Sequence, residues 1–351
     1  MNLEEKYMQR CLEIATLGLG NTAPNPMVGS VIVYNNEIIG EGFHQKYGEA
    51  HAEVNAIKSV VDKSILSKAT LYVNLEPCSH YGKTPPCADL IIENKIPKVV
   101  IGCIDSFSEV SGKGVEKLKK SGIEVITGIL EKESRELNKR FFTFHEKKRP
   151  HIILKWAQTK DGFIDIIRNN DSAKQPTWIT GESLKTLVHK WRTEEQSIMV
   201  GTNTASKDNP QLTARKWQGR NPLRIVLDRN LSLPKSLFLF DNETKTLVFT
   251  SKESKIIEKT TFINIDFSKN ILPQITEELY NRDIQSLIVE GGTHLLKSFI
   301  DFNLWDEARV LIGDKYFENG VKAPILNDDI YSSSSYERDE LQFYKNSKLE
   351  L

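Results

Sequence analysis

The stretch Thr70-Leu71-Tyr72-Val73-Asn74-Leu75-Glu76-Pro77-Cys78-Ser79-His80-Tyr81-Gly82-Lys83-Thr84-Pro85-Pro86-Cys87 decides how the first half of the chain folds. Thr70 to Leu75 is β-rich and reads as a strand, the proline-bearing segment after it cannot continue that strand, and Cys87 to Asn94 reads as a helix. Outward from this stretch, further β-rich runs lie at Val28–Tyr34, Val99–Ile104 and Ile123–Ile129, and helical spacing at Leu3–Leu17, His51–Val61 and Lys113–Lys120. Strands alternating with helices predict a layered α/β domain, closed by one helix over Glu131–His145. The charged run Glu146-Lys147-Lys148-Arg149, ended by Pro150, marks a domain boundary. The expected domains are therefore 1–146 and 150–351.

Beyond the boundary, strands are predicted at His151–Trp156, Ser197–Gly201, Leu223–Leu227, Thr246–Thr250, Thr261–Ile265, Ser286–Val289 and Arg309–Ile312. Helices are predicted at Glu182–Thr193, Ile271–Arg282 and His294–Asp301, which makes a second α/β domain. No internal repeat is evident. The low-complexity stretch Ser332 to Ser335 is expected in a surface loop.

Composition narrows the function classes. A chain of 351 residues is long for one domain. Lys plus Arg and Asp plus Glu both number 47, so the net charge is zero. That balance gives no support to a nucleic-acid or acidic-membrane partner, each of which calls for basic excess. Hydrophobic residues at 39% are enough for real cores. No apolar run is long enough to span a membrane, and the start, Met1-Asn2-Leu3-Glu4-Glu5-Lys6, lacks the order of a signal peptide. The four cysteines, Cys11, Cys78, Cys87 and Cys103, are too few for a disulfide framework. A cytoplasmic enzyme is the expectation, with thiols available for metal or catalysis.

Two glycine motifs mislead. Gly18-Leu19-Gly20-Asn21-Thr22-Ala23 fits a dinucleotide pattern but follows a helix and runs into Pro24-Asn25-Pro26, so the strand-turn-helix context is missing. Gly82-Lys83-Thr84 resembles the end of a P-loop, yet Pro77 stands where the upstream glycine belongs. Neither supports nucleotide binding.

His51-Ala52-Glu53 is weak alone: with 7 His and 47 acidic residues, such a triplet arises about once by chance. Joined to Cys78 and Cys87 it becomes a constellation. Catalytic zinc commonly takes three protein ligands and keeps a fourth position open. One imidazole and two thiolates make a neutral site that can hold hydroxide near neutral pH. Cys87 opens a helix, whose positive end favours its thiolate. His51 and Glu53, two apart, share a pocket only from a helix's first turn, where Glu53 can shuttle protons without ligating metal. The plain alternative is two small buried hydrophobes at Cys78 and Cys87.

His-x-Glu followed by Pro-Cys and a second Cys resembles the signature of zinc-dependent cytidine-deaminase-like enzymes, although eight residues rather than two separate these cysteines. With Pro24-Asn25-Pro26-Met27-Val28-Gly29 and the run from His44 through Tyr47-Gly48-Glu49-Ala50 to Glu53, the chain resembles the bifunctional riboflavin-biosynthesis deaminase/reductases over nearly its whole length. The resemblance implies an N-terminal cytidine-deaminase-like three-layer α/β/α domain and a C-terminal dihydrofolate-reductase-like α/β domain. It implies hydrolytic deamination of 2,5-diamino-6-ribosylamino-4(3H)-pyrimidinone 5′-phosphate, then NADPH-dependent reduction of the ribosyl chain to ribityl. In the first reaction Zn2+ would sit on His51, Cys78 and Cys87 with Glu53 as proton carrier. Asn25, His44, His80 and Lys83 would hold base and phosphate. One departure is Asp105-Ser106-Phe107-Ser108, where the family often reads Asp-Pro-Asn-Pro.

For the reductase, the matching motifs are Lys155-Trp156-Ala157-Gln158-Thr159-Lys160-Asp161-Gly162, Trp178-Ile179-Thr180, the run Thr204 to Arg215, and Glu290-Gly291-Gly292-Thr293. By resemblance, Lys155 and Glu290 act at the sugar end. Arg192, Leu212, Arg215 and Glu290 hold the substrate, and Gln158, Trp178, Thr204, Asp208, Gly292 and Thr293 line the NADPH side. By themselves, Trp178 also reads as core and Arg192 as a helix cap. Pro176 stands where the family often has Ser, and Arg168–Gln175 is a longer polar insert.

Three readings follow. The first is the bifunctional enzyme, with a small phosphorylated pyrimidine as partner, no nucleic acid or membrane, and a homo-oligomer by family analogy. The second is a deaminase of a nucleoside or RNA base carrying a C-terminal binding module. The third is a structural zinc protein with His80 as fourth ligand.

Overall fold

The structure, a computed structural model, describes residues 2–79, 85–106, 112–168 and 177–349. The chain forms two compact units, Met1–Lys148 and Arg149–Leu351. No helix among the described residues is long and apolar enough to cross a membrane.

In the first unit, α1 (Leu3–Ala15) is followed by β1 (Gly29–Tyr34), β2 (Glu37–Phe43), α2 (Ala52–Ser59), β3 (Thr70–Leu75), α3 (Cys87–Glu93), β4 (Lys98–Cys103), α4 (Lys113–Lys120), β5 (Glu124–Thr127), α5 (Glu131–Leu137) and α6 (Lys139–Lys147). The sheet order is β2-β1-β3-β4-β5. β1 is antiparallel to its neighbours, and β3, β4 and β5 are parallel. Period-two alternation divides the sheet's side chains between two cores. Val31, Val33, Tyr72 and Val100 meet Tyr7, Met8, Cys11 and Ile14 of α1. Ile32, Leu71, Val73, Val99 and Ile101 meet Ala56, Ile57, Ala88, Ile91 and Leu118 from α2, α3 and α4. Helices cover both faces, and the domain is three-layer α/β/α.

Helix α1 starts where its sequence says it should. Asn2 Oδ1 accepts the Glu5 N–H at 2.9 Å and Glu5 Oε2 accepts the Asn2 N–H at 2.9 Å, a capping box. The helix stops at Ala15, and Thr16–Gly18 tightens into a 3₁₀ turn instead of continuing to Leu17. The expected closing helix over Glu131–His145 is two helices, broken at Asn138. The Asn138 side chain reaches back to Met27, accepting its N–H at 2.8 Å and donating to its carbonyl at 2.9 Å.

Strand β2 escapes the sequence reading because Gly40 and Gly42 interrupt its apolar pattern. Those glycines have a packing reason. A Cβ on Gly42 would lie 2.4 Å from the Ala56 backbone nitrogen, so α2 rests directly on bare strand. Gly42→Ala is expected to push α2 away, together with the residues at its first turn. Destabilisation of about 1–3 kcal/mol and a weaker hold on zinc should appear in denaturant melts and metal analysis.

The second unit begins with β6 (His151–Thr159) and β7 (Phe163–Asp165), followed by α7 (Glu182–Glu194), β8 (Ser197–Val200), α8 (Thr202–Asp208), β9 (Leu223–Leu227), β10 (Thr246–Thr250), β11 (Lys255–Ile257) and β12 (Thr260–Asn264). It ends with α9 (Ile271–Tyr280), β13 (Ser286–Glu290), α10 (Thr293–Asp301), β14 (Glu307–Gly313), β15 (Val321–Lys322), β16 (Ile330–Tyr336) and β17 (Asp339–Lys345). A ten-stranded sheet runs β11-β12-β10-β9-β8-β13-β6-β14-β17-β16, and β7 pairs separately with β15. Its centre, from β12 through β14, is parallel. Buried on both faces, these strands read as continuous apolar runs. α9 and α10 cover one face through Leu272, Ile275, Leu279, Leu296 and Phe299. α7 and α8 cover the other through Leu184, Val188, Trp191 and Ala205. Ser332 to Ser335 is not a loop: it forms the middle of β16, an edge strand whose residues are exposed on both faces, so no alternation marks it.

Candidate functional sites

The first site is built from two helix starts and one strand exit. His51 is the N-cap of α2, and Glu53 lies in the first turn. Cys87 is the first residue of α3, and Cys78 follows β3. His51 Nδ1 is 3.6 Å from Cys78 Sγ and 3.3 Å from Cys87 Sγ, and the Cys87 N–H donates to Cys78 Sγ at 3.3 Å. All three ligand atoms lie within 4.8 Å of one another. Ligands at ordinary zinc distances and tetrahedral angles stand about 3.6 Å apart for N and S. The donor set and its spacing therefore fit zinc.

The three side chains act strongly on one another's protonation. The Cys87 hydrogen bond, with His51 beside it, holds the Cys78 thiol well below its ordinary value against the cost of burial, while Cys78 and burial push the Cys87 thiol up, against the thiolate expected at that helix start. Cys78 in turn raises His51 to about 9. Glu53 is 3% exposed, and burial pushes its carboxyl up from the ordinary value while the side chain lies against His51, Cys78 and Cys87. A buried carboxyl that holds and releases a proton here suits a shuttle.

Around this centre, His44 Nδ1 donates to the Ala50 carbonyl at 3.0 Å, which leaves Nε2 to accept from Asn25 Nδ2 at 3.2 Å. Burial lowers the His44 pKa, so the ring is neutral. Its ring centroid stands 5.5 Å from that of His51. The structure thus joins His51, Glu53, Cys78, Cys87, His44 and Asn25. His80 and Lys83, and Phe107-Ser108 of the departing loop, lie outside the described residues.

Three positioning residues escape the sequence reading. Glu76 is buried, and its carboxylate accepts N–H groups of Gly112 at 2.9 Å, Gly114 at 2.8 Å and Val115 at 3.1 Å, tying the strand exit before Cys78 to the start of α4. Asn74 Oδ1 accepts the Gly29 N–H at 2.8 Å while Nδ2 donates to the Met27 carbonyl at 3.1 Å. With Asn138 it pins the segment that carries Asn25. Glu76 directly precedes Pro77-Cys78, but a carboxylate serving a distant helix leaves no local signal.

The second site is a cleft of about 900 Å³ in the second unit. Parallel β13 and β6 set Glu290 beside Lys155 in register, with Lys155 Nζ 3.7 Å from Glu290 Oε1. Arg192 of α7 donates to Glu290 Oε2 at 2.8 Å and to the Thr213 carbonyl at 3.1 Å, so it is no helix cap. Burial opposes the Glu290 carboxylate, but Arg192 and Lys155 more than offset it and pull the carboxyl down to about 2. Burial lowers the Lys155 ammonium, with Arg192 adding to the effect.

Gly291 and Gly292 turn the chain from β13 into α10 with φ of 94° and 69°, a region that favours glycine. A Cβ on Gly291 would also strike Thr204 at 2.9 Å. Thr293 opens α10, and Leu212, with φ of 57°, is a strained non-glycine residue on the cleft wall. Trp178 is 52% exposed with Lys185 Nζ 4.1 Å above its ring, which rules out plain core. Arg215 also lines the cleft. Asp208 pairs with Arg168 at 3.0 Å, while Arg168 and Thr177 both donate to Asp165. Gln158 does not line the cleft; its amide oxygen accepts the Trp156 indole N–H at 2.7 Å and braces the wall. Pro176 and residues 169–175 of the insert lie outside the described residues.

Family models match both units: the cytidine and deoxycytidylate deaminase zinc-binding region over residues 1–103, and the RibD C-terminal domain over residues 150–329. The chain is 41% identical over 325 residues to the riboflavin biosynthesis protein RibD of Aquifex aeolicus, covering 91% of this chain and 89% of that one. The chain belongs to the RibD family. The RibD of Synechocystis sp. is 38% identical, with coverage of 92% and 87%. Among solved structures, a diaminohydroxyphosphoribosylaminopyrimidine deaminase/5-amino-6-(5-phosphoribosylamino)uracil reductase from Thermotoga maritima matches with TM-score 0.88 and 39% identity over 98% of each chain. The Acinetobacter baumannii RibD matches with TM-score 0.87 and 30% identity, also over 98% of each. The deaminase-like and RibD reductase-like folds expected from the motifs are the folds present. The eight-residue gap between Cys78 and Cys87 leaves the metal cluster intact.

Proposed function

We propose that this chain is a bifunctional enzyme of riboflavin biosynthesis. It deaminates 2,5-diamino-6-ribosylamino-4(3H)-pyrimidinone 5′-phosphate and then reduces the ribosyl chain of the product with NADPH. The observation that carries this reading is the His51, Cys78 and Cys87 cluster, with Glu53 buried beside it, in a chain that also holds the Lys155–Glu290–Arg192 cleft. The first activity is assigned to residues 1–146 and the second to 150–351.

His51, Cys78 and Cys87 would hold zinc. When bound, zinc supplies the Lewis acidity that makes water a nucleophile near neutral pH. Glu53 takes one proton from the attacking water and delivers it to the ring nitrogen, then takes the remaining hydroxyl proton and passes it to the amino group, which leaves as ammonia. Asn25 and neutral His44 orient the ring, and His80 and Lys83 are assigned to base and phosphate.

In the cleft, NADPH supplies hydride when bound. Glu290 and Lys155 polarise or protonate the sugar end, on a heteroatom bound to the carbon that takes the hydride. Arg192, Arg215 and Leu212 hold the substrate. Trp178, Thr204, Asp208, Gly292 and Thr293 line the cofactor side, and Gln158 acts through Trp156. A backbone turn with free N–H groups at the start of α10 suits a phosphate. None of the four cysteines forms a disulfide, in keeping with a cytoplasmic setting.

The test supplies the diaminopyrimidinone phosphate to the zinc-loaded protein with and without NADPH, following ammonia and the nicotinamide absorbance. Ammonia in both cases, and NADPH oxidation after it, are expected. Chelating zinc should stop ammonia release yet spare NADPH oxidation on substrate already deaminated. No ammonia from zinc-loaded protein would overturn the first assignment, and ammonia without NADPH oxidation would overturn the second.

A further inference from the structure

Three buried polar atoms of residues that line the second cleft have no hydrogen-bond partner among the described residues: His189 Nδ1, Arg192 Nε and Glu290 Oε1, the last with Lys155 Nζ 3.7 Å away. An unpaired buried donor or acceptor costs roughly 1–3 kcal/mol, so a group of them in one cleft points to a ligand that completes them. They belong together. His189 and Arg192 are three residues apart on α7, hence on one face, and Glu290 is bonded to Arg192. His189 is 5% exposed and feels the charges of Arg192, Arg215 and Glu290.

The chemistry of these atoms selects the ligand group. Arg192 Nε–H only donates, Glu290 Oε1 only accepts when ionised, and a neutral imidazole nitrogen does either. A phosphate dianion accepts but has no proton to give Glu290. A group that both donates and accepts satisfies all three: a sugar hydroxyl, or the N–H and C=O edge of a pyrimidinedione. Burial, with Arg192 and Arg215 adding to it, holds the His189 ring down at about 4, so it is neutral and can serve such a group.

We propose that His189 is a further substrate-binding residue of the reductase site, one that reads a donor–acceptor group of the substrate and not its phosphate. This rests on the reductase reading above. Asn places a polar atom where Nδ1 stands, and Leu places a methyl group there, so the pair separates hydrogen bonding from shape. With zinc-loaded, full-length protein and the deaminated aminouracil ribosyl phosphate, His189→Leu should raise KM roughly tenfold, with the loss falling on KM and not on kcat. His189→Asn should recover most of it.

The same factor is expected with the dephosphorylated nucleoside. With a 2′-deoxyribosyl substrate it should vanish if the 2′-hydroxyl is the group read, and persist if another hydroxyl or the ring edge is. Equal behaviour of the Leu and Asn variants, or a penalty confined to the phosphorylated substrate, would overturn the proposal. No NADPH oxidation by the unaltered protein would instead defeat the reductase reading itself.

Discussion

Replacing Glu53 with Gln is expected to reduce ammonia release by roughly 10²–10⁴-fold while the protein keeps its zinc. The substitution preserves shape and removes only the ability to carry a proton. His51, Cys78 and Cys87 are untouched, and their mutual distances of 3.3–3.6 Å between His51 Nδ1 and the two sulfurs do not depend on Glu53. The carboxyl is buried and pushed above its ordinary pKa, the state in which it can hold a proton between the two transfers. Metal analysis and ammonia assay on the same preparation check this. NADPH oxidation on pre-deaminated substrate serves as the internal control and should be unchanged. Loss of zinc together with activity would make Glu53 a structural residue.

The zinc site was legible in sequence because its ligands sit at local features. A cap position, a helix start and a strand exit all leave short-range signatures. His51 at the cap and Glu53 in the first turn follow from two-residue spacing alone. What was hidden depends on contacts distant in sequence. Glu76 serves α4 nearly forty positions away, and Asn138 breaks a helix to reach Met27 across 111 residues. Strand β2 lost its pattern to glycines that exist for the helix above them, and β16 lost its own because neither face is buried. In the cleft, the glycine pair and the arginines were readable as residue types. The pairing of Glu290 with Lys155 needs the parallel register of β13 and β6, which no local pattern encodes. His189 was invisible for a related reason, since its meaning lies in a ring nitrogen with no partner among the described residues, on the helix face that carries Arg192 to Glu290 of β13.

Glu290→Gln should cost both stability and the second activity. The carboxylate is the counter-charge for Arg192 at 2.8 Å and for Lys155 at 3.7 Å, all three largely buried. Removing the charge leaves two buried cations facing an amide, and breaking such a buried pair costs about 3–5 kcal/mol. NADPH oxidation should fall by roughly a hundredfold or more, and ammonia release should persist.

The stability loss has a pH signature. The folded carboxyl lies at about 2, below its ordinary 4.5. A depressed carboxyl contributes fully above its unfolded value, and that contribution is lost as pH falls through the folded one. The gap between native and variant stability should therefore be constant above about pH 4.5 and narrow from there towards 2. All five tryptophans, at positions 156, 178, 191, 217 and 305, lie in the second unit, so their fluorescence in urea melts reports that unit alone. A variant as stable as the native protein at neutral pH would mean that Glu290 is not held there as an anion, and the charge assignment at the reductase site would fall with it.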